Sequence, residues 1–174
     1  ARKTVEGVMR ESKKWSEGQI NEVSDIIAVA SIKYSFIKVS VGNDVVFDLE
    51  KSTSFDGDTG PYLLYVYARC KSILQNRKQA VLSSKEAELD AYTKELLRAI
   101  SRYQYVLLTS ALNYSPSTMC SYLFDLGQTF NSFYQSVRVL ESENSDLLLE
   151  VVDATAHTMK EGLKVLGIEV VERM

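Results

Sequence analysis

The sequence has 174 residues, of which 45% are hydrophobic and 25% are charged, with two prolines and eight glycines. This composition predicts a soluble chain of one domain, or one domain and part of another, built from long helices. The formal net charge of −3 excludes a globally basic surface, so any RNA binding must be local and depend on stacking.

The first 60 residues are predicted to contain one long helix followed by an irregular segment. Ser16 to Gln19 matches a capping box, in which the serine hydroxyl and the glutamine amide close the first turn. From Ile20 the apolar residues recur in steps of three and four, which predicts a helix to about residue 38. Turn residues at 40–44, a short extended run at 45–47 and a polar loop at 51–60 follow.

The next stretch, residues 55–70, is the sequence FDGDTGPYLLYVYARC, which predicts a tight loop that leads into a helix. Asp58 or Thr59 suits the N-terminal cap, and Pro61 suits the first helical position because no backbone donor is needed there. The helix is expected to reach roughly residue 80. The apolar residues that should face a core are Leu63, Val66, Tyr67, Cys70, Ile73 and Leu74.

Tyr62, Tyr65 and Arg69 form a second strip on the same predicted helix. They fall at positions i, i+3 and i+7, so they lie along one narrow side of it. Phenol rings stack on bases, and a guanidinium binds phosphate or stacks by its plane. On spacing alone the commoner interpretation is a half-buried bundle edge whose hydroxyls reach water.

The remaining residues predict three more helices. A Ser-x-x-Glu box at 83–86 begins a helix through about Leu108, and Ser115 with Pro116 begins another that carries an aromatic-rich stripe. On that stripe, Phe133 and Tyr134 are weaker RNA-binding candidates for which core packing is favoured. The last helix should end at Gly167, and the apolar tail 168–174 should pack back on the bundle. The sequence thus predicts an all-α fold, a helical bundle of five to six helices with one short non-helical insert.

Side chains for catalysis or metal binding are not evident in the sequence. Residues 57–60 are too short for a phosphate loop and lack its lysine. His157 is the one histidine and has no cysteine or second histidine nearby, which favours a structural role. Cys70 and Cys120 are far apart, as expected of core residues in a reducing compartment. No apolar run is long enough to span a membrane, so a cytoplasmic protein is expected.

Four segments, in this order, resemble arginyl-tRNA synthetases. They are IKY at 32–34, DVVFD at 44–48, GDTGPYLLYVYAR at 57–69 and LGIEVVERM at 166–174. They are similar to the family's A-x-K-Y helix, its V-F-D segment, its loop-helix G-N-T-A-P-Y-L-x-Y-A-x-x-R and its ending L-G-I-x-x-V-x-R-M. Two departures are visible: Asp58 stands where Asn is usual, and Gly60 where Ala is usual. Asp58 would add a negative charge close to the proposed RNA face.

The resemblance implies part of an enzyme that joins arginine to its tRNA with ATP. The family's HIGH and KMSKS-like catalytic motifs are missing and the sequence begins at Ala1, so we expect a C-terminal portion that is inactive by itself. Residues 1–60 resemble the helical segment that joins the catalytic domain, and residues 61–174 resemble the all-helical DALR anticodon-binding domain. No cofactor is expected here, because ATP and Mg would bind to the absent catalytic domain.

The same resemblance implies that four residues lie against the anticodon loop: Tyr62, Tyr65, Arg69 and Met174. Splayed bases would stack on the tyrosines, and the arginine would hydrogen-bond a base edge or a phosphate. Lys33 and Arg173 are candidates for the tRNA backbone, but each is equally well interpreted as a plain surface charge. The expected partners are arginine tRNA and the protein's own catalytic domain, not a membrane or DNA.

A helical protein-interaction module is the alternative function. It predicts a large exposed apolar patch, for example around Trp15. An aromatic patch with a local basic rim would instead favour tRNA binding.

Overall fold

The computed structural model describes residues 2, 6, 16–76 and 88–174. Its helices are α1 (Glu17–Ile37), α2 (Leu49–Ser52), α3 (Gly60–Gln75), α4 (Ala91–Ser101), α5 (Tyr103–Leu112), α6 (Pro116–Ser136) and α7 (Ser145–Val165). Within these residues six helices have ten residues or more, and no strand occurs. The predicted all-α bundle is therefore confirmed. Trp15 and the box at 83–86 lie outside the described residues.

Local capping chemistry sets the starts of α1 and α3 close to the predicted positions, whereas α3 ends at Gln75, before the predicted end near residue 80. The Ser16 side chain and the Gln19 side chain form the expected reciprocal capping box at the start of α1. Thr59, not Asp58, caps α3, because its hydroxyl accepts the backbone N–H of Tyr62 at 3.2 Å. Beyond α7, Gly167 has a φ of 68°, the left-handed conformation that glycine adopts at lowest cost.

The insert between α1 and α3 differs from its prediction in two respects. Residues 45–47 form no strand, and the short helix α2 lies where no helix was predicted and overlaps the start of the predicted polar loop. Its N-cap is Asp48, whose carboxylate accepts the backbone N–H of Lys51 at 3.1 Å. Phe47 stacks on Phe36 of α1, with ring centroids 5.8 Å apart, and so attaches the insert to the bundle.

The helix predicted to run through Leu108 is interrupted at Arg102, where α4 ends and α5 begins. In an unbroken helix the carbonyl of Ala99 would accept the backbone N–H of Tyr103. Here the Tyr122 hydroxyl of α6 donates to the Ala99 carbonyl at 3.0 Å, and the N–H of Arg102 also bonds to it, at 3.3 Å. A side chain that inserts into the helical ladder in this way is a known cause of a break.

Helix α3 lies at the centre of the bundle and packs against α1, α6 and α7. Leu63, Leu64 and Val66 are completely buried. The tail after α7 returns to the same core, where Ile168 and Val171 are buried, as predicted. Buried residues of α1 belong to this core as well, so α1 and α3–α7 share it. The predicted division of the chain into a joining segment, residues 1–60, and an anticodon-binding domain, residues 61–174, stays a prediction.

The approach of α1 to α3 is closest at Gly60. A Cβ atom added to Gly60 would lie 2.5 Å from the carbonyl oxygen of Ala30, a contact that real Cβ atoms essentially never make. Backbone atoms cannot yield as a flexible side chain can. Arginyl-tRNA synthetases usually have alanine at this position. The close spacing of α1 and α3 explains why this chain has glycine there.

We predict that Gly60→Ala lowers the free energy of unfolding by about 1 to 3 kcal/mol, because α1 and α3 must separate to admit the methyl group. Gly18→Ala is the matched control, since nothing lies within 4 Å of the added atom. The control should be as stable as the parent or slightly more stable, because alanine favours helices. Urea denaturation measures both. Equal stability of Gly60→Ala and the parent would contradict the close approach.

We predict that neither cysteine reacts with a thiol reagent in the native protein. Burial raises the pKa of the Cys120 thiol to about 12 and raises the pKa of the Cys70 thiol further. At about pH 8 neither side chain therefore forms the reactive thiolate, and both are buried. Ellman's reagent should detect no fast reaction in buffer and two thiols in concentrated guanidinium chloride. Rapid native labelling would show that the core is open.

Candidate nucleic-acid interface

A groove of about 440 Å³ lies between α3, α6 and the C-terminal tail. Its walls include Tyr65 and Arg69 of α3, Tyr134 of α6, and Arg173 and Met174 of the tail. Four of these were candidates in the sequence, and the structure brings them together although 100 residues of chain separate the helix from the tail. Tyr134, the fifth, was a weaker candidate for which core packing was favoured.

Arg69 is the most constrained side chain of the groove. The centre of its guanidinium lies 4.5 Å from the centroid of the Tyr65 ring and 5.1 Å from that of Tyr134. One terminal nitrogen donates a hydrogen bond to the Tyr65 hydroxyl, and the other donates to Asn131 Oδ1 at 3.3 Å. Contacts with two rings stabilise the cation by about 0.5 to 2 kcal/mol each. The guanidinium is therefore positioned before any ligand arrives.

Tyr62 does not lie on the surface beside Tyr65, which corrects the prediction of two exposed phenols. Its relative exposure is 9%, and its ring packs edge-on against Phe124, with centroids 5.5 Å apart. Helix α6 covers this end of α3, and Gly127 leaves the space for the ring, since an added Cβ would lie 3.2 Å from Tyr62. The hydroxyl accepts a hydrogen bond from Asn131 Nδ2 at 2.9 Å. Burial raises the pKa of Tyr62, so the phenol stays neutral.

Helix α6 supplies two residues that the sequence alone did not identify as site residues. Asn131 was not singled out, and Tyr134 was considered more suited to the core. The structure places Phe133 in the core but leaves Tyr134 41% exposed. The signal that could have identified them is their i, i+3 spacing on the side of α6 flanked by Phe130 and Phe133. That pattern marks one face but does not say which helix the face meets.

The tail reaches the groove because two contacts hold it. Val171 is buried and Met174 packs partly against the core. Lys71 of α3 forms an ion pair with Glu172, with 3.7 Å between the ammonium nitrogen and the carboxylate oxygen. Met174 and Arg173 are thereby placed at the end of the groove that contains Arg69.

Lys33 lies elsewhere. Its ammonium group donates to the carbonyl oxygen of Gly167, where it caps the C-terminal end of α7. The residue is not among those that line the groove. A contact of Lys33 with the tRNA backbone stays a prediction, and the structure gives this lysine a role in fixing the turn into the tail.

Asp58 does not point its charge at the groove. Its Oδ1 accepts a hydrogen bond from the Tyr34 hydroxyl at 2.6 Å, and its Oδ2 lies 3.3 Å from the Lys38 ammonium nitrogen. These partners belong to a separate cavity between α1 and the insert. Burial first, and the hydrogen bond to Asp58 second, raise the pKa of Tyr34, so that its hydroxyl remains a donor. The expected negative charge beside the RNA face is thus compensated by Lys38.

The described residues contain no cluster of three or more His, Cys, Asp or Glu side chains that could hold a metal ion. His157 is exposed on α7. Among the helices that the structure describes, none combines the length and the apolar character needed to cross a bilayer.

The side chains of the groove are of the kinds that recognise an unpaired base. Tyr65 and Tyr134 present phenol rings, Met174 presents a polarisable thioether, and Arg69 keeps further N–H donors beyond the two that are engaged. Stacking surfaces beside a planar, positively charged donor suit an unpaired base and its phosphate.

Comparisons with known proteins identify the family of this chain. The sequence model of the family described as "DALR anticodon binding domain" matches residues 63–174. An arginine–tRNA ligase of Lactococcus lactis subsp. lactis is 36% identical over 88% of this chain, and one of Shewanella amazonensis is 34% identical over 91%. The chain spans about 28% of the length of both relatives.

Solved structures show the same architecture. An arginyl-tRNA synthetase of Thermus thermophilus superposes with a TM-score of 0.91 at 25% identity, covering 99% of this chain and 31% of that one. The arginyl-tRNA synthetase of Plasmodium falciparum, at 22% identity, covers 99% of this chain and 32% of its own with a TM-score of 0.89, and shows the shared fold. The resemblance inferred from the sequence motifs is confirmed, and the chain belongs to the DALR anticodon binding domain family.

Proposed function

We propose that this chain is the tRNA-binding part of an arginine–tRNA ligase and that its groove contacts the anticodon loop of arginine tRNA. It would act together with a catalytic domain that binds ATP and Mg and performs the aminoacylation. The similarity to arginine–tRNA ligases supports this class of enzyme. The partner is an RNA loop and not a DNA duplex or a membrane.

The observation that carries the proposal is the contact of Arg69 with the rings of both Tyr65 and Tyr134, in a groove that Met174 also lines. The bases of an RNA loop are unstacked, so their faces and edges are accessible to such a groove. The tyrosine rings would stack on bases, and Arg69 would donate to a base edge or a phosphate. Arg173, at the rim, would contact the backbone.

A cytoplasmic location is part of the proposal. Both cysteines are free thiols buried in the core, which is the state expected in a reducing compartment. The enzyme class named by the relatives uses tRNA, which is a substrate of that compartment.

We predict that Tyr65→Ala and Arg69→Ala weaken binding of arginine tRNA to the chain. Loss of one stacked base should cost about 1 to 3 kcal/mol, or roughly 5- to 150-fold in Kd. The parent should prefer arginine tRNA over the same tRNA with a replaced anticodon, and both variants should lose that preference. Filter binding or fluorescence anisotropy at low and moderate salt measures it.

The matched control is Tyr105→Ala, which removes an exposed tyrosine from α5, outside the groove. It should bind both tRNAs as the parent does. Groove variants that bind like the parent, or a parent that binds both tRNAs equally and only through salt-sensitive contacts, would refute the proposed function. The family membership would be unaffected.

One observation favours the alternative function, a helical protein-interaction module. Tyr105, Leu108 and Leu112 of α5 are 72%, 59% and 69% exposed and fall at i, i+3 and i+7 on one side of the helix. An apolar stripe of this kind is typical of a protein contact. A Leu108→Asp/Leu112→Asp variant distinguishes the functions, because it should leave tRNA binding unchanged if the groove is the RNA site.

A further inference from the structure

The side-chain amide of Asn131 joins two residues of α3, Tyr62 and Arg69. Its nitrogen donates to the hydroxyl of the buried Tyr62 at 2.9 Å, and its oxygen accepts from the guanidinium of Arg69 at 3.3 Å. Arginine has donors only, so the amide oxygen must face Arg69, and the amide nitrogen must then face Tyr62. The orientation of the amide is fixed by its two partners.

Arg69 depends on this link because its remaining contacts leave one direction undetermined. The guanidinium centre lies 4.5 Å from the Tyr65 ring centroid and 5.1 Å from that of Tyr134, and this attraction to two rings does not by itself orient the N–H groups. The hydrogen bond to the Tyr65 hydroxyl fixes one terminal nitrogen, and the bond to Asn131 fixes the other. Together they decide where the unused N–H donors point.

We infer that Asn131 is a positioning residue of the groove: it couples the buried Tyr62 to Arg69 and so sets the direction in which Arg69 offers donors to RNA. The inference rests on the proposed function. It gives Tyr62 a role different from base stacking, as the anchor of a chain of hydrogen bonds from the core to the surface. The order of the chain is Tyr62, Asn131, Arg69, Tyr65.

A double-mutant cycle tests the inference. Asn131→Leu keeps the approximate shape of the side chain and removes both hydrogen bonds, and Tyr62→Phe removes one oxygen atom. For each variant and for the pair, Kd is measured with arginine tRNA and with the same tRNA carrying a replaced anticodon. The ratio of the two Kd values reports discrimination, and thermal unfolding reports stability.

We predict that Asn131→Leu lowers the discrimination ratio by about 10- to 150-fold, the range expected from losing a hydrogen bond to a charged group. Tyr62→Phe should lower it less, and the double variant should be no worse than Asn131→Leu, because both changes break the same chain. Binding of the replaced-anticodon tRNA should stay within about 2-fold, since backbone contacts are untouched. Asn131→Asp should retain more discrimination than Asn131→Leu, because its carboxylate accepts from both neighbours.

The control is Gln128→Leu, which removes an exposed amide from the same helix and outside the groove. It should discriminate as the parent does. An unchanged ratio in Asn131→Leu, while Arg69→Ala loses it, overturns this inference and leaves the proposed function standing. An equal weakening for both tRNAs with a lower unfolding temperature shows a purely structural role and also overturns it. If Asn131→Leu does not fold, the Tyr62→Phe variant decides the test. An unchanged discrimination ratio in Tyr62→Phe then overturns the inference.

Discussion

The burial of α3 among three other helices is the constraint on which the rest of the structure depends. Its apolar stripe faces the core, and its first turn approaches α1 so closely that a glycine is required at position 60. A helix held on these sides has little surface left, and that remaining surface is where Tyr65 and Arg69 lie. Rigid packing beneath the groove is what allows two side chains on it to keep fixed positions without a ligand.

Polar contacts at this helix are arranged in two separate sets with different consequences. Near its N-terminus, Tyr34 and Lys38 bind Asp58, which fixes the loop before α3 and compensates the charge of the carboxylate. Along its length, Asn131 connects Tyr62 with Arg69. The first set holds the loop that leads into the helix, and the second holds the Arg69 guanidinium. Both rely on hydroxyl or amide groups that are satisfied inside the protein, where an unpaired polar group would be costly.

The tail illustrates how a chain end becomes part of a site. Gly167 turns the chain after α7, the Lys33 ammonium group holds the Gly167 carbonyl, and Val171 is buried. These contacts bring Met174 to a groove formed by residues about 100 positions earlier. An ion pair between Lys71 of α3 and Glu172 also links the tail to the bundle. Burial of the apolar tail residues contributes most of the free energy that holds the tail in place, because an exposed ion pair contributes little.

The sequence by itself determined the helices, their caps and the apolar stripes, because capping and periodicity are local and depend on residues within one or two turns. Through its resemblance to a family it also placed Tyr65, Arg69 and Met174 in one site, together with Tyr62, and it offered Arg173 only as a candidate for the tRNA backbone. Only the tertiary structure decided that Tyr62 is buried, that Tyr134 and Asn131 join Arg69, and that Tyr122 breaks the helix at Arg102. These outcomes depend on which face of α6 meets α3 and α4. Periodicity identifies a face, but the partner of that face is selected by long-range packing.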